Sequence, residues 1–134
     1  MSTSTDRQTA KVLLVDDRRD NLLALEAILQ GLPVQSVGAH SGEEALKHLL
    51  VDDFALILLD AQMPDMDGNQ TTRLIRRNPH FADLPVVFLT AKAMPGDRES
   101  SLAAGASDYI TKPVDLDELL EVMAAWINGE GRAV

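Results

Sequence analysis

The chain contains no cysteine, which excludes a disulfide framework and any thiolate metal site. It has no apolar run near the roughly 20 residues needed to cross a bilayer. Met1 to Ala10 is polar and lacks the apolar stretch of a secretory signal. That segment is expected to be a loose arm. Positive charge is also scarce: 12 Lys and Arg stand against 21 Asp and Glu, for a formal net charge of −9 and a pI near 4.6. Such a surface repels nucleic-acid phosphates and anionic membranes. Direct nucleic-acid or membrane partners are therefore not expected, and a cytoplasmic location is. Neither a GxxxxGK[ST] nor a GxGxxG loop is present, which removes the common phosphate-cradling nucleotide sites. Internal repeats and low-complexity tracts are absent as well.

What the sequence does contain fits one ordinary domain. Its 134 residues are 46% apolar and 25% charged, enough for a hydrophobic core. Apolar runs alternate with amphipathic stretches from end to end. Lys11–Val15, Phe54–Leu59 and Pro85–Leu89 are continuous apolar runs, the pattern of strands covered on both faces. Pro33–Ala39 and the short Tyr109–Ile110 segment read as weaker strands. Helices are expected over Asn21–Leu29, closed by Gly31, and after Ser41, with Glu44 at capping-box spacing. A third is expected over Thr71–Arg77, with Leu74 and Ile75 inward. The fourth runs from Gly96 to Ala104, stopped by a left-handed Gly105. A fifth follows Asp115, with Leu119, Leu120, Met123, Trp126 and Ile127 on one side and Gly129 and Gly131 at its end. Five βα units in a row imply a doubly wound parallel α/β sheet. The mixed second strand and short fifth strand belong at the edges, which gives the flavodoxin-like order 2-1-3-4-5. The expected organisation is an arm over 1–10, one domain over 11–128 and a tail over 129–134.

In such a sheet, ligands bind beyond the carboxyl ends of the strands, at the switch point between strands 1 and 3. The strand ends here carry Asp16 and Asp17, then Asp60, Thr90 and Lys112. Each has a plainer reading alone, as a turn residue, a β-branched strand residue or a solvated lysine. Their convergence in one mouth is the informative feature. At about 4 Å and an effective dielectric near 20, each carboxylate pair costs roughly 4 kcal/mol. Lys112 offsets one charge, and a hard divalent cation offsets two more through oxygen ligands. Mg²⁺ suits a site with few carboxylates and a phosphoryl oxygen. Phosphoryl transfer needs positioning and charge neutralisation above all. Asp60 reads as the nucleophile, with Lys112 and Thr90 as donors to phosphoryl oxygens.

The pieces Val-Asp-Asp (15–17), Leu-Leu-Asp (58–60), Met-Pro-Asp-Met-Asp-Gly (63–68), Leu-Thr-Ala (89–91), Gly-Ala-Ser-Asp-Tyr (105–109) and Thr-Lys-Pro (111–113) together resemble the receiver domain of two-component response regulators, over about Lys11 to Asn128. The resemblance implies that a sensor histidine kinase or histidine phosphotransfer protein donates a phosphoryl group from phosphohistidine to Asp60. It further implies that Asp17 and Asp60 contact Mg²⁺ directly, Asp16 mostly through water, and Gln62 through its backbone carbonyl. The Lys112–Pro113 bond is expected to be cis. Thr90 and Tyr109 would form the switch pair, altering the surface of helix 4, strand 5 and helix 5 for a downstream protein target. Small Ala91 would leave the pocket open, and Gln62 and Lys92 occupy positions that influence phosphoryl lifetime. The chain would thus be a phosphoacceptor that assists its own phosphorylation and dephosphorylation, not an enzyme with turnover.

One departure concerns helix 5. It carries Asp115, Asp117, Glu118 and Glu121 and no Lys or Arg, unlike transcription-factor receivers that pair through basic residues there. Two alternatives are weighed against a stand-alone receiver. The Asp-Asn-Leu-Leu-Ala-Leu stretch at 20–25 resembles receivers attached to hybrid sensor kinases, so the chain could be part of a longer kinase or output-domain regulator. The glycines after helix 5 fit a domain end or a linker. A phosphatase of the haloacid-dehalogenase type also uses an aspartyl phosphate and Mg²⁺, but it resembles a pattern with a second Asp two positions after the nucleophile, where this chain has Gln62.

Overall fold

Strand β1 (Ala10–Val15) sits inside a parallel sheet between β2 (Val34–Ala39) and β3 (Leu56–Asp60), followed by β4 (Val86–Thr90) and β5 (Asp108–Thr111), so the order is β2-β1-β3-β4-β5. The computed structural model describes residues 10–63, 66–91, 97–129 and 131. Most of the arm over 1–10 and of the tail over 129–134, together with Pro64, Asp65, Lys92 and Gly96, lies outside the described residues. Helices α1 (Arg19–Leu29), α2 (Gly42–Val51), α3 (Gly68–Arg77), α4 (Asp97–Ala104) and α5 (Leu116–Ile127) alternate with the strands. A 3₁₀ turn covers Pro79–Phe81. No helix among the described residues is long and apolar enough to cross a membrane.

The apolar strands work in two directions at once, because successive side chains of a strand point to opposite faces. Val12, Leu14, Leu56, Leu58, Val87 and Leu89 pack with Leu22, Leu25 and Leu29 of α1 and Leu119, Val122 and Met123 of α5. Leu13, Val15, Ile57, Leu59, Val86 and Phe88 pack on the other face with Ala45 and Leu49 of α2 and Ile75 of α3. Two cores sharing one sheet explain why these strands read as unbroken apolar runs.

Four local readings needed amendment. Gly31 is not in a left-handed conformation; α1 ends through Gln30, whose N–H reaches the Glu26 carbonyl. Helix α3 starts at Gly68, not Thr71, because Asp67 and Gln70 form a reciprocal capping box. Leu74 is half-exposed, and Thr71 and Thr72 are buried beside Ile75 instead. Their hydroxyls donate to the Asp67 and Gly68 carbonyls at 2.9 and 2.8 Å, so burial leaves no polar group unpaired. On α5, Val122 is fully buried although the sequence reading passed over it, while Leu120 is half-buried.

At the other two expected capping boxes the N-cap side chain bonds as expected, without the reciprocal bond to the N-cap N–H that α3 has. Ser41 accepts the Glu44 N–H at 3.0 Å, while Glu44 reaches back to the His40 N–H at 2.7 Å. Asp115 accepts the Glu118 N–H at 3.0 Å. Gly105 is left-handed at φ +111°, packed under Arg76. The Arg76 guanidinium donates to the Gly105 and Phe81 carbonyls and to Ser107 Oγ, at 2.9, 2.7 and 3.2 Å. It thereby ties the end of α3 to the turn before β5.

Candidate functional site

β1 and β3 pair in parallel up to Val15 and Leu59, so the residues that follow emerge side by side at the same edge. Asp16 and Asp17 leave β1 there, and Asp60 is the last residue of β3. One carboxylate oxygen from each of the three lies within 4.8 Å of the others. Asp16 and Asp60 are buried, at 1% and 5% exposure, and Asp17 is exposed. This is a set of hard oxygen donors open on one side, the donor chemistry that a hard divalent cation requires.

Lys112 enters from the far side of the sheet. β5 pairs with β4 through Thr111 and Thr90, and the Lys112 N–H continues that ladder onto the Thr90 carbonyl at 2.6 Å. The Lys112 ammonium then reaches across to donate to Asp60 Oδ1 at 3.0 Å. The following Lys112–Pro113 peptide is cis. Asp60 Oδ1 also accepts the Gln62 N–H at 3.3 Å. The Gln62 side chain is exposed, Thr90 is half-buried at the end of β4, and Tyr109 is half-buried opposite Phe88 in register.

Asp16 is held by two donors: the Arg18 N–H on Oδ1 at 2.9 Å and the Asn21 side-chain amide on Oδ2 at 3.1 Å. Burial pushes the Asp16 carboxyl above its ordinary value, the negative charge of Asp60 pushes the same way, and the two N–H donors and Lys112 pull back. The Asp60 end of the site is braced by close packing. Gly68 N–H donates to the Ala61 carbonyl at 3.2 Å, and a Cβ on Gly68 would stand 3.0 Å from Ala61 Cα and 3.2 Å from the Asp60 carbonyl oxygen. Glycine therefore lets α3 abut the chain leaving β3 without pushing that backbone aside.

The sequence reading missed two side chains that bear on this region. Asn21 stands in the sequence as the start of a helix and as part of a resembling stretch, yet it donates into the acidic cluster. Trp126 was read as packing, yet its indole N–H donates to Oδ2 of fully buried Asp108 at 2.8 Å. Asp108 Oδ1 accepts the N–H of Tyr109 at 2.7 Å. Beside the acidic pocket, a groove of about 300 Å³ runs along α1, lined in part by Asn21, Ala24, Ile28, Pro113 and Val114.

The family model described as "Response regulator receiver domain" matches residues 12–124. The sensor histidine kinase GacS of Pseudomonas protegens is 37% identical over 119 residues, 87% of this chain and 13% of that protein. The signal transduction histidine-protein kinase BarA of Escherichia coli is 36% identical over 129 residues, 96% of this chain and 14% of that protein. The chain thus spans about one-seventh of the length of these relatives. Among solved structures, the receiver domain of sensor histidine kinase PA1611 from Pseudomonas aeruginosa, with a magnesium ion coordinated in its active-site cleft, superposes with a TM-score of 0.83. It is 34% identical, covering 90% of this chain and 99% of that one.

Proposed function

The chain belongs to the response regulator receiver family, and from that premise we propose that Asp60 accepts a phosphoryl group from the phosphohistidine of a histidine kinase or phosphotransfer protein. The observation that carries this reading is the meeting of three carboxylates with the Lys112 ammonium at the carboxyl edge of the sheet. Asp60 attacks the phosphorus through a carboxylate oxygen. The bond from phosphorus to the imidazole nitrogen breaks, a bond from phosphorus to oxygen forms, and the imidazole leaves and takes up a proton. Asp60 is oriented for this by the Lys112 and Gln62 donors on Oδ1. Lys112 then neutralises charge on the phosphoryl oxygens, and the Thr90 hydroxyl donates to one of them.

Mg²⁺ is the cation proposed for the pocket, with Asp17, Asp60 and the Gln62 carbonyl as direct ligands and Asp16 acting mostly through water. When bound it supplies charge neutralisation for the incoming phosphoryl oxygens. Support comes from the three clustered carboxylates and from the magnesium in the cleft of the PA1611 receiver. The groove beside α1 and Val114 gives a donor protein apolar surface next to the pocket.

Phosphorylation would shift the Thr90–Tyr109 pair and with it the α4–β5–α5 surface, a two-state population change read by a downstream protein. The chain would act in the cytoplasm as a phosphoacceptor, not as an enzyme with turnover. A second reading, that it works as one module of a hybrid sensor kinase, is favoured by the identities to GacS and BarA over a small share of their length. The mass of the native gene product decides between them.

The phosphoacceptor reading is tested by incubating the chain with acetyl phosphate and Mg²⁺ and measuring its intact mass. One phosphoryl group is expected, removed by hydroxylamine and mapping to Asp60. A stable adduct on a serine or threonine, or none at all from any donor, would overturn it.

A further inference from the structure

Two side chains among the described residues donate hydrogen bonds into the three-carboxylate cluster: Lys112 onto Asp60 and Asn21 onto Asp16. Lys112 brings a charge. Asn21 brings a hydrogen bond and none. It stands in the first turn of α1, so its amide is carried by a helix whose Leu22 and Leu25 are fixed in the core. Asp16 has each carboxylate oxygen occupied by a protein donor, Arg18 N–H on Oδ1 and the Asn21 amide on Oδ2. Its carboxylate plane is therefore set before any cation arrives. Asp17, exposed next to it, accepts no such pair of donors from the described residues.

We propose that Asn21 is a positioning residue that orients Asp16 toward the cation and fixes the charge of the pocket at the value a single divalent ion balances. Three carboxylates against the one ammonium bonded to them leave two negative charges, the neighbouring Arg18 guanidinium being ion-paired with Asp20 at 3.3 Å. An acid at position 21 would supply the same size and reach but add a third, and would set a carboxylate oxygen against Asp16 Oδ2 where a donor now sits at 3.1 Å. A neutral amide is the side chain that holds Asp16 without altering the count. Partners that orient metal ligands from behind typically change affinity by about 10- to 100-fold when removed.

This inference rests on the cation-pocket reading above, and the experiment separates the two. Isothermal titration of the full chain with Mg²⁺ and, separately, with Tb³⁺ is compared for wild type, Asn21→Ala, Asn21→Asp and Asp17→Asn. Asn21→Ala should weaken Mg²⁺ about 10-fold or more without a change in circular dichroism. Asn21→Asp should shift preference from Mg²⁺ toward Tb³⁺ by about the same factor, a change that a merely structural role would not produce. Wild-type Mg²⁺ affinity in Asn21→Ala with an unchanged Mg²⁺-to-Tb³⁺ ratio in Asn21→Asp overturns the role of Asn21, provided Asp17→Asn has lost Mg²⁺. If Asn21→Asp fails to fold, Asn21→Ala alone decides. Absence of Mg²⁺ binding by wild type, or its survival in Asp17→Asn, overturns the pocket reading and this inference with it.

Discussion

The Lys112 ammonium lies 3.0 Å from Asp60 Oδ1 although the two residues are 52 positions apart in sequence. Parallel pairing of β3 with β4 and of β4 with β5 brings them together. With Asp16 and Asp17 close by, the Lys112 ammonium is the cation among the described residues that bonds directly to the cluster, and it offsets part of its negative charge. Lys112→Ala should therefore be less stable than wild type in EDTA, and the deficit should shrink on adding Mg²⁺. It should also lose phosphoryl uptake or the response to it. Urea denaturation with and without Mg²⁺ checks the first part, and a deficit independent of Mg²⁺ would contradict it.

Asp16 makes a prediction about pH. Its carboxyl is raised above the ordinary value of 3.8, chiefly by burial. The folded chain therefore holds this proton more tightly than the unfolded chain does, and stability is lost as pH rises from about 3.8 upward through the folded value. In Mg²⁺-free buffer, the stability of wild type relative to Asp16→Asn should fall with rising pH across that window. Mg²⁺ should cancel the fall at neutral pH. Paired urea titrations from acid to neutral pH measure it, and a flat difference would remove Asp16 as a source of strain.

Glycine at 68 is predicted to matter for the site as well as for the fold. A Cβ there meets Ala61 Cα at 3.0 Å and the Asp60 carbonyl at 3.2 Å. Gly68→Ala should cost about 1–3 kcal/mol through overpacking and slow phosphorylation of Asp60. Gly31→Ala is the control, because nothing lies within 4 Å of the added carbon. It should be neutral or slightly stabilising. Equal effects of the two substitutions would refute the packing argument.

Much of this site was legible in the sequence because a parallel sheet delivers its strand ends to one edge. Asp16, Asp17, Asp60 and Lys112 each follow an apolar run, and that alone places them together. Asn21 was not legible, since a donor on the first helical turn meets Asp16 only once the β1–α1 turn is known. Helix α3 misled for a different reason. Hydrophobicity pointed to Leu74 with Ile75, but Thr71 and Thr72 can be buried because their hydroxyls bond to carbonyls four residues back. The Asp108–Trp126 pair joins β5 to α5, a match that no spacing rule announces.

That pair carries its own prediction. Trp126→Phe keeps an aromatic ring but removes a donor from fully buried Asp108. The cost should be about 1–3 kcal/mol, seen as a lower urea midpoint by circular dichroism with unchanged slope. Asp108→Asn combined with Trp126→Phe should cost less than the two single changes added together. Full additivity would mean the hydrogen bond contributes nothing.

The central claim is that Asp60 is the phosphoryl acceptor, and transfer from a radiolabelled phosphorylated histidine kinase tests it most directly. Wild type should acquire label that hydroxylamine removes, and Asp60→Asn, folded by circular dichroism, should acquire none. Equal hydroxylamine-sensitive label on the Asp60→Asn chain would contradict the account.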